Sequence, residues 1–136
     1  MSTKIKYKDI TKYKYELEED YIIPLKELDG IFVYGDDNPK YSYATDHLAF
    51  KAGVLTVKKY YTWDGPSGPT IDTDDFMRGA LVHDALYQLI RQGVIRKSFR
   101  KKADKILYRI CREDGMSWFR AHYVLRGVRW FGGSSA

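Results

Sequence analysis

The apolar residues of this chain change period near residue 70, and that change limits the fold more than any other feature. Upstream, Tyr, Val, Ile and Lys alternate in Ile5-Lys6-Tyr7-Lys8, Tyr13-Lys14-Tyr15-Glu16-Leu17, Ile31-Phe32-Val33-Tyr34 and Val54-Leu55-Thr56-Val57-Lys58-Lys59-Tyr60. A period of two in β-branched and aromatic residues predicts half-buried strands. Turn chemistry separates them at Leu28-Asp29-Gly30, Gly35-Asp36-Asp37-Asn38-Pro39 and Lys51-Ala52-Gly53. Downstream the period is helical. A first helix is predicted from between Asp72 and Asp75, whose carboxylates suit a first turn, to Gly93, with Phe76, Ala80, Val82, Leu86, Leu89 and Ile90 as its stripe. A second takes Ser98 as N-cap, carries Phe99, Ala103, Ile106, Leu107 and Ile110, and ends at Gly115. A third starts at Ser117, runs through Trp118, Ala121, Val124, Leu125 and Val128, and ends at Gly132. Connections this short make the helices antiparallel neighbours. The predicted class is α+β: a small N-terminal antiparallel sheet followed by about three antiparallel helices. The chain reads as one domain, 1–136, strand-rich over 1–70 and helical over 71–132, with a flexible tail at 133–136.

Length and composition agree with a packed domain. The chain has 136 residues, 21 of them aromatic, enough to close one core and to exclude disorder as its main state. No apolar run approaches the roughly 18 residues of a membrane span. The start, Met1-Ser2-Thr3-Lys4-Ile5-Lys6, lacks the apolar stretch of a signal peptide. A lone Cys111 excludes an internal disulfide framework and multi-cysteine zinc sites, and points to a reducing compartment. The net charge of +5 is unevenly spread: residues 1–90 carry 11 Lys/Arg against 15 Asp/Glu, whereas residues 91–136 carry 12 against 3. That split suggests an anionic partner for the last third, with solvated helix faces as the plain alternative.

Three features carry the candidate chemistry. Tyr61-Thr62-Trp63-Asp64-Gly65-Pro66-Ser67-Gly68-Pro69 reads as a rigid loop leaving the last strand, able to converge its carbonyls on a hard cation such as calcium or to serve as an ordinary connection. Val82-His83-Asp84-Ala85-Leu86-Tyr87 places His83, Asp84 and, one turn on, Tyr87 beside an apolar stripe, where polar groups need partners. Asp104, next to Ala103 and Leu107, can accept a hydrogen bond from His83 across the helix pair, or pair with Arg100, Lys101 or Tyr108 of its own helix.

In order and spacing these features resemble secreted phospholipase A-two enzymes. There a glycine-rich loop precedes a His-Asp-x-x-Tyr helix, as Trp63 here precedes His83 by twenty residues, and a second Asp sits on an antiparallel helix. The resemblance implies that His83 activates water, Asp104 orients His83 and Tyr87 braces the pair. It implies too that Asp84 binds calcium with the backbone carbonyls of Trp63, Gly65 and Ser67, so that calcium polarises the ester carbonyl. Ser67 replaces the family's second loop glycine, Pro66 and Pro69 intrude, and the stapling disulfides are missing, as they are in viral capsid phospholipases.

A longer stretch, from about Gly53 to Gly132, resembles a family of small proteins encoded in phage and prophage genomes. It is carried by Leu55-Thr56-Val57, Asp64-Gly65-Pro66-Ser67-Gly68-Pro69, Val82-His83-Asp84-Ala85-Leu86-Tyr87, Arg100-Lys101-Lys102-Ala103-Asp104 and Val128-Arg129-Trp130-Phe131-Gly132. That family has no assigned function. The resemblance implies a phage or prophage origin, a place in the virion or host cytoplasm, and other phage proteins or host factors as partners. It also makes Asp64 a candidate ligand or hydrogen-bond anchor. Three functional readings follow: a non-catalytic phage component locked by a His-Asp polar network, a calcium-dependent ester hydrolase working at an anionic phospholipid surface, and a nucleic-acid-associated protein. The third is the thinnest, because only Tyr108 interleaves with the basic residues 96–112 as a stacking element.

Overall fold

A computed structural model describes residues 5–11, 14–28, 42–44, 47–51, 53–64 and 74–131. The chain divides into two compact units, Met1–Ile71 and Asp72–Ala136, so the division falls where the hydrophobic period changes.

Among the described residues the first unit holds seven strands, in two antiparallel sheets rather than one. Strands β1 (Tyr7–Thr11), β2 (Lys14–Leu17) and β7 (Thr62–Asp64) form one, in the order β1-β2-β7. Strands β3 (Tyr21–Pro24), β4 (Ser42–Ala44), β5 (Leu48–Lys51) and β6 (Val54–Val57) form the other, in the order β3-β6-β5-β4. The alternation does what a period of two requires. Tyr15 and Leu17 of β2 are buried while Lys14 is exposed, and Tyr21 and Ile23 of β3 are buried while Ile22 is exposed. In the first sheet Tyr15 stands opposite Trp63, and the rings of Tyr7, Tyr15 and Trp63 meet with centroids 5.5–5.8 Å apart. In the second, Gly53 takes a φ of +79° at the tight β5–β6 turn, a conformation that suits a residue without Cβ. The expected strand at Ile31–Tyr34 lies outside the described residues.

Among the described residues the second unit has three α-helices: α1 (Asp74–Arg91), α2 (Arg100–Glu113) and α3 (Trp118–Phe131). Asp74 and Asp75 begin α1, where carboxylates offset the helix dipole. Both α1 and α2 end in the same motif. Gly93 (φ +75°) donates its N–H to Ile90 while Val94 reaches back to Leu89, and Gly115 (φ +98°) donates to Arg112 while Met116 reaches Cys111. Val94 and Met116 are buried, as the apolar residue closing such a motif should be. At the start of α3 the Ser117 hydroxyl accepts the backbone N–H of Arg120, as an N-cap does. Ser98 does not cap α2. It sits inside a 3-10 turn, Lys97–Phe99, and the N-cap position belongs to Phe99, which offers no side-chain cap.

The pairing of α1 with α2 is antiparallel and tight at Gly79. A Cβ built there meets Cys111 Sγ and Leu107 Cδ1, both at 2.9 Å, and the Leu107 carbonyl oxygen at 3.4 Å. The two nearer atoms are side-chain ends that can yield, so Gly79→Ala should be nearly neutral: mild crowding set against about 1 kcal/mol of helix propensity. Gly79→Val leaves no such escape and should cost about 3 kcal/mol, read as a loss of denaturant midpoint at unchanged slope. Toward α3, Phe76, Leu107, Cys111, Met116, Ala121 and Val124 form one buried cluster. Trp118, expected in the apolar stripe of α3, is instead 51% exposed, and Ala121 and Val124 supply the buried face.

Burial pushes the Cys111 thiol up to about 12, with Asp114 and Asp75 adding to the shift. At pH 8 only about one thiol in ten thousand is then ionised. Native protein should resist iodoacetamide, and modification should track unfolding when followed by mass spectrometry across a denaturant series.

Candidate functional site

The antiparallel α1–α2 pair sets three residues face to face. His83 and Tyr87 lie one turn apart on α1 with ring centroids 4.1 Å apart, and Asp104 of α2 lies opposite both. His83 Nε2 is 2.7 Å from Asp104 Oδ1, and the Tyr87 hydroxyl donates to the same oxygen at 2.6 Å. Asp104 is fully buried, Tyr87 is buried, and the His83 side chain keeps 13% of its surface. A buried carboxylate costs several kcal/mol unless its oxygens are paired, so these two bonds are what allow Asp104 to sit here. The bond to Asp104 also fixes the imidazole tautomer. A carboxylate only accepts, so in the neutral imidazole Nε2 carries the proton and Nδ1 keeps its lone pair. Among the described residues Nδ1 has no hydrogen-bond partner. Burial, the bond to Asp104 and that carboxylate's charge raise the Tyr87 hydroxyl above its ordinary range, which keeps it a donor; the Arg100 guanidinium opposes them only in part.

Two arginines complete the surroundings of Asp104. Arg129 of α3 brings Nε to 3.9 Å from Oδ2, and Arg100, at the first position of α2, lies against the Tyr87 hydroxyl. In the sequence Arg100 is one of the basic residues 96–112 and Arg129 belongs to the closing Val128-Arg129-Trp130-Phe131-Gly132 stretch, so neither stands out. The signal for Arg129 lies in the helix register: Tyr108 meets His122 and Asp104 meets Arg129, so α3 runs back along α2. Three aromatic side chains also form a surface feature that their helical spacing does not announce. Trp118, Phe119 and Tyr123 are 51%, 80% and 60% exposed on the first turns of α3, with Trp118 stacked on His122 at 4.0 Å.

The calcium constellation fares differently. Asp84 is partly buried on α1 and already has an interaction partner. Trp63 is not in a loop but in β7, paired with β2, because cross-strand pairing with Tyr15 outweighs the turn residues that follow it. Asp64 ends that strand opposite Lys14, and its side chain lies outside what is described. Gly65 and Ser67 lie outside the described residues altogether. Among the described residues no group of three or more His, Cys, Asp or Glu gathers as a metal site requires. The His83–Asp104–Tyr87 cluster lies wholly within the helical unit.

No protein-family model, curated protein or solved structure matches the chain. Among the described residues no helix is long and apolar enough to cross a membrane.

Proposed function

We propose that the helical unit is a general-base site for ester hydrolysis, with His83 as base and Asp104 as its orienting carboxylate, in a protein of phage or prophage type. The observation that carries it is the bond of Nε2 to a buried carboxylate while Nδ1 keeps an unspent lone pair. In this reading Nδ1 takes a proton from water as the water oxygen attacks the ester carbonyl. Asp104 stabilises the imidazolium that forms, and Tyr87 holds the carboxylate in place. The proton then passes from Nδ1 to the departing alcohol. Calcium belongs to the proposal only through the resemblance to phospholipase A-two, with Asp84 as the helical unit's candidate ligand; bound, it would polarise the carbonyl. The steps above use only the chain's own groups. The exposed aromatics of α3 and the basic residues of the last third suit an anionic phospholipid surface as the place of action.

A specific observation favours one other reading. With Asp104 and Tyr87 both buried, the same bonds tie α1 to α2, and they serve a non-catalytic component of the virion or host cytoplasm, working with phage proteins or host factors, equally well. Rates on a lipid ester, with and without calcium, separate the two. Hydrolysis by the wild type that falls about a hundredfold or more in His83→Gln is expected; equal rates, or none in either, remove the enzyme reading. Calcium should also raise the melting temperature of the wild type more than that of Asp84→Asn, and an equal shift would remove the cation site.

A further inference from the structure

In the sequence Tyr108 is the one ring that interleaves with the basic residues 96–112, and the packing of α3 against α2 brings it more. Lys101, Lys105, Tyr108 and Arg112 follow one another at four-three-four spacing, which sets them on a single stripe of α2 about 16 Å long. Lys101, Lys105 and Arg112 are exposed, and Tyr108 is partly buried. From α3, His122 meets Tyr108 with ring centroids 4.8 Å apart. Trp118 lies over His122 at 4.0 Å and meets Phe119 at 5.0 Å, so the rings form one file from α2 to the first turn of α3. The file is held in place. His122 Nδ1–H donates to the Trp118 carbonyl at 3.0 Å, and Arg112 Nη1 donates to the Met116 carbonyl at 2.6 Å.

No carboxylate of these two helices opposes the cations on this face. The segment Trp118–Phe131 contains no Asp or Glu. In α2, Asp104 is fully buried, and Glu113 is taken up by Arg78 and Arg109. A row of exposed cations attracts any polyanion, so the rings must decide which one. Trp118 is half-exposed and Phe119 largely exposed, and an unpaired base covers such aromatic surface by stacking. A duplex hides its base faces and offers only phosphates to this surface. A bilayer takes apolar side chains as an inserted face. Here Tyr108 and His122 are instead recessed in the seam, with the cations in line beside them, a track shaped for a strand.

We infer that the α2–α3 seam is a binding track for single-stranded nucleic acid, with Lys101, Lys105 and Arg112 on its phosphates and Trp118 stacking a base. The track uses no residue of the His83–Asp104–Tyr87 cluster, so it stands or falls apart from the general-base reading.

The probe is a fluorescein-labelled oligothymidylate, titrated with the full chain and followed by anisotropy over a salt series. The wild type should bind it, with log affinity falling linearly in log salt. Lys101→Gln and Lys105→Gln should each weaken binding about threefold or more and flatten the salt slope by about 0.7. Lys102→Gln loses the same charge from a side chain turned over the Phe99 ring, with Nζ 5.4 Å from its centroid, and should lose less than twofold. Trp118→Ala should lose about tenfold at an unchanged slope, and Trp118→Phe should recover most of that loss. These side chains are exposed, so circular dichroism should be the same in every variant. No binding by the wild type, or equal losses at Lys101 and Lys102, overturns the inference. Equal affinity for the matching duplex, with no loss in Trp118→Ala, also overturns it, because charge alone then binds. Binding of phosphatidylglycerol vesicles by a chain that leaves the oligonucleotide free overturns it as well, and gives the face to a bilayer.

Discussion

Asp104→Ala is expected to lose about 3–5 kcal/mol of stability, more than any other single truncation in the helical unit. The carboxylate is fully buried and one of its oxygens receives both His83 and Tyr87. Its removal leaves the Tyr87 hydroxyl, a buried donor, without the acceptor it now uses, and takes away the carboxylate that Arg129 faces at 3.9 Å. For a unit of this size the melting temperature should fall by about 15 °C or more, measured by scanning calorimetry. Asp104→Asn sharpens the result. The amide keeps the shape and an acceptor oxygen, so the stability loss should shrink to about 1–2 kcal/mol. Hydrolysis should nonetheless fall about a thousandfold, because an uncharged partner cannot stabilise the imidazolium and favours the wrong tautomer. A purely structural lock would show the stability losses and no activity to lose.

The second large effect is expected at Arg78→Ala, at about 3 kcal/mol. Arg78 is 3% exposed in the middle of an apolar helix face, and it reaches the far end of α2. Its Nε lies 3.2 and 3.0 Å from the two oxygens of Asp114, and Nη2 donates to Asp114 and Glu113, each at 2.9 Å. Asp114 follows the last residue of α2, where the carbonyl end of the helix also favours a cation. Truncation strands a nearly buried carboxylate, and it is this uncompensated charge, more than the lost pair, that sets the cost. Arg78→Met keeps the buried stem, so the difference between the two variants measures packing apart from charge. The pair also gives a pH signature. Burial alone would raise the Glu113 carboxyl, but the hydrogen bonds from Arg78 and Arg109 outweigh it and hold it below its ordinary 4.5. A group lowered on folding stabilises above its unfolded value, so this contribution is present above about pH 4.5 and fades as the pH falls below it. Glu113 is 43% exposed, so the effect is modest; Glu113→Gln should flatten that acid limb.

The sequence announces the helices because it punctuates them. Asp74 and Asp75 open α1, Gly93 and Gly115 close α1 and α2 with positive φ, and Ser117 caps α3. The His83–Asp104 contact is legible for a related reason: two short motifs on helices joined by a short turn have few ways to meet. What escapes is decided over longer distances. Arg78 and Asp114 are 36 residues apart, and no local pattern pairs them. Strand β3 is four residues ending in a proline, and β7 runs into a Pro- and Gly-rich stretch; both owe their form to partners, Val54–Val57 and Lys14–Glu16. The 3-10 turn at Lys97–Phe99 takes Ser98 away from the cap its residue type suggests. Trp118 fits a helical apolar stripe by residue type, and only the packing of Ala121 and Val124 shows that the stripe passes it by.

The pairing of β2 with β7 bears on how the chain folds. It joins residues 14–16 to residues 62–64, and all of β3 to β6 lies between them, forming a separate sheet. One sheet is thus nested inside the sequence gap that the other must bridge. Closing that gap costs less once the inner sheet has shortened it, so the inner sheet is expected to form first and the outer ribbon second. In the helical unit the pairings of α1 with α2 and of α2 with α3 join helices adjacent in the chain, and the contact of Phe76 with the α3 side of the core spans the whole unit. The loop-closure cost therefore falls more heavily on the strands, and the residues of the candidate site lie in the half with the more local contacts.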